Sequence, residues 1–237
     1  MTNAKQLALP LPSLAALGRS DFYVTEANAL AVAQIEGWQH WPSGKFVLSG
    51  PAGSGKTHLA HVWARLTGGL IVPAEALPSA DIPTLAQGPV CVEDIETIAG
   101  HRDAEEALFH LHNLVLASGH KLLMTARTPP AQWGLTLPDL QSRAEGAQGA
   151  QLSEPDDDLL SAVIAKLFAD RQIVPAGDVI PYLARRIPRS YSAAQLIVEI
   201  LDREALGRPK GVNRPLASAV FDGLFSPKLL PNAPEPS

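Results

Sequence analysis

The segment from Gly50 to Thr57 has the residue types and spacing needed to hold a polyphosphate. Gly50-Pro-Ala-Gly-Ser-Gly-Lys56-Thr57 fits G-x-x-x-x-G-K-[ST] at every fixed position. Its glycines let the backbone over Pro51, Ala52, Gly53, Ser54 and Gly55 curl around phosphate oxygens, with the N–H groups after Pro51, which has none, turned inward. A helix starting at the lysine aims its positive end at the same anion. Lys56 is then expected to neutralise the β- and γ-phosphates, and Thr57 to place its hydroxyl on Mg²⁺. A second candidate is Val90-Cys-Val-Glu93-Asp94, an apolar run ending in two acids. Beside a phosphate loop, Glu93 would hold Mg²⁺ through its water and Asp94 would polarise the attacking water. A strand ending in a solvated acidic turn is the plainer reading of the same residues. The longer acid comes first and Asp94 is one methylene shorter where reach to water matters. This order predicts weak ATP hydrolysis at most.

These residues need strands and helices to bring them together, and the pattern supplies both. Phe46 to Leu48 reads as a short strand before the loop and Thr57 to Leu66 as the helix after it, stopped by Gly68-Gly69. Leu70 to Val72, Val90 to Val92 and Leu122 to Thr125 read as buried strands, with helical periodicity in Ala104 to Ala117. A β-α-β-α-β alternation demands crossovers, hence a mostly parallel sheet covered on both faces. Glu26 to Trp41 reads as an entry helix. Beyond Glu154 only helices are expected, near Pro155 to Arg171, Asp178 to Ile187, Ser190 to Leu206 and Pro215 to Phe225, with Asp178 as the second one's cap. The expected organisation is an extended leader over 1–18, an α/β domain over 19–153, a helical lid over 154–225 and a disordered proline-rich tail over 226–237.

The 237 residues suit one α/β body with a small appendage, and a formal net charge of −5 excludes a global basic field for nucleic acid or anionic membrane. The single cysteine, Cys91, cannot close an intramolecular disulfide and lies in an apolar run, as a cytoplasmic protein would have it. No apolar stretch approaches the roughly 20 residues that span a bilayer.

With these motifs in hand, the chain resembles the bacterial replication initiator DnaA family, and most closely its regulatory Hda-like branch, from about Gln6 to Leu224. GPAGSGKTHLAHVWA, CVEDIETIAG, LLMTARTPP and LPDLQSRAEG stand in the family's order and spacing. The resemblance implies an AAA+ fold, a P-loop parallel sheet covered by helices and followed by a small all-α lid. It also implies bound ADP or ATP with Mg²⁺. Phe22 and Asn28 would close over the base, His58 would follow the loop at the helix start, Thr125 would sense the γ-phosphate side, and Arg143 would be the arginine that enters a neighbour's site. The family's second sensor arginine falls on Ser192, which makes Arg189 the nearest substitute. Arg127 stands where the family carries an acid. Gln6-Leu7-Ala8-Leu9-Pro10-Leu11 resembles the peptide with which the regulatory branch docks on the DNA polymerase III β sliding clamp. Leu9 and Leu11 would fill an apolar pocket and Gln6 would bond at its rim.

The sequence stops without the initiator's DNA-reading domain, so contact with DNA is expected only through the clamp. The resemblance thus implies a regulator that promotes ATP hydrolysis by DnaA and restrains replication initiation. An autonomous AAA+ ATPase acting as a loader or remodeller and a scaffold that only recruits DnaA are the alternatives, and monomer and homodimer both stay open.

Overall fold

The structure is a computed structural model that describes residue 24, residues 28–206 and residues 211–225. Five parallel strands, β1 (Lys45–Ser49), β2 (Leu70–Pro73), β3 (Val90–Glu93), β4 (Leu122–Ala126) and β5 (Gln148–Gln151), form one sheet in the order β2-β3-β4-β1-β5. Because successive strand residues face opposite sides, each strand feeds two cores. Val47, Val90, Val92, Leu122 and Met124 pack on one side, against Leu108, Leu111 and Val115 of α4 (Arg102–Ala117). Phe46, Leu48, Cys91 and Leu123 pack on the other, against Leu59, Ala60 and Trp63 of α2 (Lys56–Thr67) and Ile35 of α1 (Ala29–Glu36). Trp41 stacks between Phe46, at 4.9 Å, and Trp63, at 5.7 Å, and donates its indole N–H to Gln34 O at 2.7 Å. Cys91 is fully buried, and burial raises its pKa well above the ordinary thiol value.

The entry helix is shorter than its periodicity predicts. It closes at Gly37, and Trp38–His40 continue as a 3₁₀ turn, which leaves Trp41 free to turn into the core. Two elements escape an apolar-run reading altogether. β5 is Gln-Gly-Ala-Gln, a polar edge strand paired with β1. Its Gly149 passes so near that a Cβ would stand 2.9 Å from Val47 O. Pro138 opens α5 (Pro138–Glu145) at the first helical position, where its missing N–H costs nothing. The short α3 (Ile82–Leu85) is capped by Asp81.

Past Asp157 the chain is helical: α6 (Asp157–Asp170), α7 (Val179–Ala184), α8 (Tyr191–Ala205) and α9 (Arg214–Phe225) enclose a cluster of their own around Leu160, Ile164, Phe168, Leu183, Ile197 and Leu201. Asp156 caps α6, accepting Leu159 N–H at 2.7 Å, and Ser190 caps α8, accepting Ala193 N–H at 3.1 Å. Asp178 does not cap α7. Its backbone is helical rather than extended, and its carboxylate faces Arg214 at 3.6 Å. Among the described residues no helix is long and apolar enough to cross a membrane.

One buried carboxylate ties this frame together beneath the site. Glu105 of α4 accepts Gly100 N–H at 2.8 Å, Thr136 N–H at 2.9 Å, Thr136 Oγ1–H at 3.0 Å and Leu137 N–H at 2.7 Å. Burial pushes its pKa up, but these bonds outweigh it and hold the value below the ordinary carboxylate range. Stability from Glu105 is therefore complete above the ordinary value of about 4.3 and is lost as pH falls through the lower folded value. Glu105→Gln turns amide hydrogens toward donors. It should cost about 2 kcal/mol at neutral pH, the scale of a hydrogen bond to a charged group, and flatten the acid limb of stability measured by urea melts from pH 7 to 3. Equal acid limbs in the two proteins would refute this account.

Candidate functional site

Parallel strands end at the same edge, so the loops after β1, β3 and β4 emerge side by side, where open α/β sheets receive their ligands. Leu48 pairs with Thr125 and Ser49 with Ala126, and Gly50 N–H then donates to Ala126 O at 3.1 Å. This register puts the start of the phosphate loop against the end of β4. α2 begins at Lys56, with Gly55 in the left-handed region at φ +98° as its N-cap. Only glycine adopts that conformation without strain.

A cleft of about 380 Å³ opens between this loop, the ends of β3 and β4, and α8. It is lined by Ala52, Gly53, Gly55, Lys56, Thr57, His58 and His61 from the loop and α2, by Asp94 and Arg127, and by Tyr191, Ser192 and Gln195 of α8. A roomier recess between α8 and α9 is walled mainly by apolar side chains and gathers no comparable set of charges.

Lys56 is 7% exposed, and its ammonium donates to Gly50 O at 2.6 Å and Pro51 O at 2.9 Å. Burial lowers its pKa, Asp94 and Glu96 raise it, and Arg127 lowers it again. Ser54 is buried, and Ser54 Oγ has no hydrogen-bond partner among the described residues. Asp94 holds a left-handed backbone at φ +55°, which a short polar residue tolerates. Its N–H donates to Thr125 Oγ1 at 3.3 Å, and its carbonyl accepts the N–H and hydroxyl of Thr97 at 3.0 and 2.7 Å. Thr125 is fully buried and lies beneath the cleft wall rather than in it. Glu93 Oε1, beside Asp94, is buried with no hydrogen-bond partner among the described residues. That orphaned carboxylate oxygen and the exposed Thr57 hydroxyl are hard donors of the kind Mg²⁺ takes. Among the described residues no three His, Cys, Asp or Glu side chains form a cation site by themselves.

The helical part closes directly on the phosphate loop. Tyr191 N–H donates to Gly53 O at 3.0 Å. A Cβ on Gly53, at φ +76°, would stand 2.1 Å from Ser190 Cβ. Asn28, buried at the start of α1, bonds the Tyr191 hydroxyl, whose pKa is pushed up to about 12 chiefly by burial.

Several residues read from the sequence lie elsewhere. Asn28 meets Tyr191 instead of lining the cleft, and Arg189 lies outside the lining and pairs with Asp157 at 2.9 Å. Ser192 does line it. Arg143 is exposed on α5, away from the cleft, with its guanidinium 5.0 Å over the Phe109 ring and its carbonyl accepting Lys45 Nζ–H at 2.6 Å. Phe22, Gln6, Leu7, Leu9 and Leu11 fall outside the described residues. His61, Glu96, Tyr191 and Gln195 were not legible as site residues, since helical phase alone does not say which face of α2 or α8 meets the loop.

Sheet order and loop together give the chain an AAA+ fold with a P-loop. No protein-family model matches the chain. Among solved structures it is similar to domain III of the Thermotoga maritima replication initiation protein DnaA, at a TM-score of 0.77 and 17% identity over 89% of this chain and 98% of that one. It is also similar to AMPPCP-bound DnaA from Aquifex aeolicus, at 0.66 and 16% over 78% and 64%. A replication initiator DnaA bound to AMPPCP and single-stranded DNA matches at 0.64 and 18% over 77% and 63%. The fold is that of the AAA+ domain of DnaA.

The Gly53–Ser190 contact makes a stability prediction. Gly53→Ala should cost about 1–3 kcal/mol, as overpacking does. Adding Ser190→Gly, which removes the opposing Cβ at only a few tenths for the lost cap, should recover the part due to that contact and leave the left-handed strain of Ala at φ +76°. Additive losses in thermal melts of the two single variants and the double variant would show that these residues do not press on each other.

Proposed function

We propose that this chain is a nucleotide-bound AAA+ regulator of Hda-like type. Tethered to the DNA polymerase sliding clamp, it promotes ATP hydrolysis by the replication initiator DnaA and so restrains chromosomal initiation. The observation that carries the reading is Arg143, an exposed guanidinium outside its own cleft. It is held over Phe109 by a contact of about 0.5–1 kcal/mol, weak enough to exchange for a neighbour's phosphates. An arginine supplied in trans raises phosphoryl-transfer rates by about 10³–10⁵, so one residue suffices to make a partner hydrolyse.

The chain's own nucleotide, ADP or ATP, would sit on Lys56 and the loop N–H groups, and Thr57 and Glu93 would hold Mg²⁺, which would offset phosphate charge. AMPPCP bound to DnaA in a fold of the same kind supports this placement. Own turnover is expected to be weak, because Asp94 is the shorter acid where reach to the attacking water matters. Gln6, Leu9 and Leu11 would supply the clamp contact, an apolar strand anchored by two leucines.

Two measurements test this. Lys56→Ala should bind ADP at least tenfold more weakly by calorimetry, since a charge-assisted contact of about 1.5–3 kcal/mol is lost. Unchanged affinity would move the nucleotide elsewhere. Arg143→Ala should keep ADP affinity and fold yet lose most stimulation of phosphate release by DnaA in the presence of clamp and DNA. Stimulation equal to wild type at saturating concentration would sink the trans-acting role. Rapid release by this chain without DnaA would favour an autonomous ATPase.

A further inference from the structure

The remaining charge in the cleft is Arg127, and on the reading that the cleft holds nucleotide we propose that Arg127 is a ligand of the terminal phosphate of a triphosphate, held aside by Glu96 until that phosphate arrives. It would make the cleft select triphosphate over diphosphate from within the same chain. The placement comes from β4: its last residue, Ala126, is bonded to the start of the phosphate loop, so the next side chain leaves the strand at the cleft wall.

The restraint on Arg127 is of the sort that a ligand can replace. Its backbone N–H donates to Glu96 Oε1 at 3.0 Å, fixing the main chain. Its side chain meets the same oxygen only through Nε at 3.6 Å, and that side chain is 69% exposed. This is a single loose contact, not the bidentate fork that guanidinium makes with an oxyanion in good geometry. Exposed pairs of this kind contribute little. A phosphate offers the fork geometry and more charge. The main-chain bond can stay in place while the guanidinium turns from Glu96 to the ligand.

Charge balance gives the move a reason. Lys56 feels Asp94, Glu96 and Glu93 together with the Arg127 cation, and of these acids only Asp94 lines the cleft with the two cations. Lys56 is further committed to Gly50 O and Pro51 O. Each added phosphate brings more negative charge toward those acids, and Arg127 is the cation at the β3–β4 end of the cleft, where Asp94 also stands. A diphosphate cradled by the loop does not need it; a triphosphate extending past the loop does.

Calorimetry with ADP and with AMPPCP, each with Mg²⁺, on the full chain separates this from its parent reading. Arg127→Ala should weaken AMPPCP tenfold or more and ADP less than threefold, with Arg127→Lys between wild type and alanine for AMPPCP. Glu96→Gln should tighten AMPPCP severalfold by freeing the guanidinium. Equal losses for both nucleotides, or none for AMPPCP, would overturn the role of Arg127 while leaving the cleft a nucleotide site. If wild type binds neither ligand, the parent reading fails and this one with it. Thermal melts of each variant without nucleotide guard against a folding defect, and Glu96→Gln, which predicts a gain, cannot succeed through misfolding.

Discussion

The hydrogen bond from Gly50 N–H to Ala126 C=O extends the β1–β4 ladder one residue beyond the last strand pair. Everything in the cleft hangs on it. It fixes where the phosphate loop starts relative to β4, and therefore how Arg127 stands to Lys56. A slip of one residue would turn Phe46 and Leu48 from the α1–α2 side to the α4 side and unmake both cores at once, so the register is enforced by burial on two faces. Gly50 tolerates the crowding that results: a Cβ there would lie 2.6 Å from Leu152 O and 2.8 Å from Ser54 Oγ. Core packing, strand register and cleft geometry are one constraint.

From that fixed edge the helical part is set by two contacts. Tyr191 N–H on Gly53 O joins α8 to the loop, and the Tyr191 hydroxyl on Asn28 joins it to the chain entering α1. One residue thus spans three segments. The loop carbonyl at Gly53 is occupied by a lid donor, so a change of loop shape on filling the cradle must be felt at the first turn of α8, and a tilt of α8 must be felt at the loop. That coupling is mechanical, since Gly53 and Ser190 stand too close for either to move alone toward the other.

The phosphate loop, four of the strands and the lid helices were legible because their signals are local: fixed glycines, short apolar runs and 3.6-residue periodicity. β5 was not, because a polar edge strand such as Gln148–Gln151 is defined by its partner β1 and carries no apolar run. Asp178 looked like a cap by residue type, but the pairing of its carboxylate with the Arg214 guanidinium and a helical backbone give it another task. The same difference governs the site. Lys56 and Thr57 could be read from spacing. Tyr191, Ser192 and Gln195 reach the cleft only through the way α8 packs, whereas Arg189, nearer the expected arginine in type, is drawn off by Asp157.

Arg143 is built in the opposite sense to the cleft cations. Its main chain is clamped: Lys45, 7% exposed, donates to its carbonyl at 2.6 Å from the first residue of β1, so the end of α5 is pinned to the sheet. Among the described residues its head rests on the face of Phe109. Nearby, His112 is buried, and burial foremost, with the Lys45 and Arg143 charges, lowers its pKa to about 4. At neutral pH the imidazole is therefore uncharged, and it adds no third cation to push the guanidinium away from the ring. A rigid base fixes where the arginine stands, and a weak hold on its head leaves it available. Lys56 has the reverse arrangement, with its head buried in its own loop. That contrast follows from where each residue meets the sheet: Lys56 follows the carboxyl edge of β1, inside the loop, and Arg143 is tied to the amino end of the same strand, with its side chain exposed.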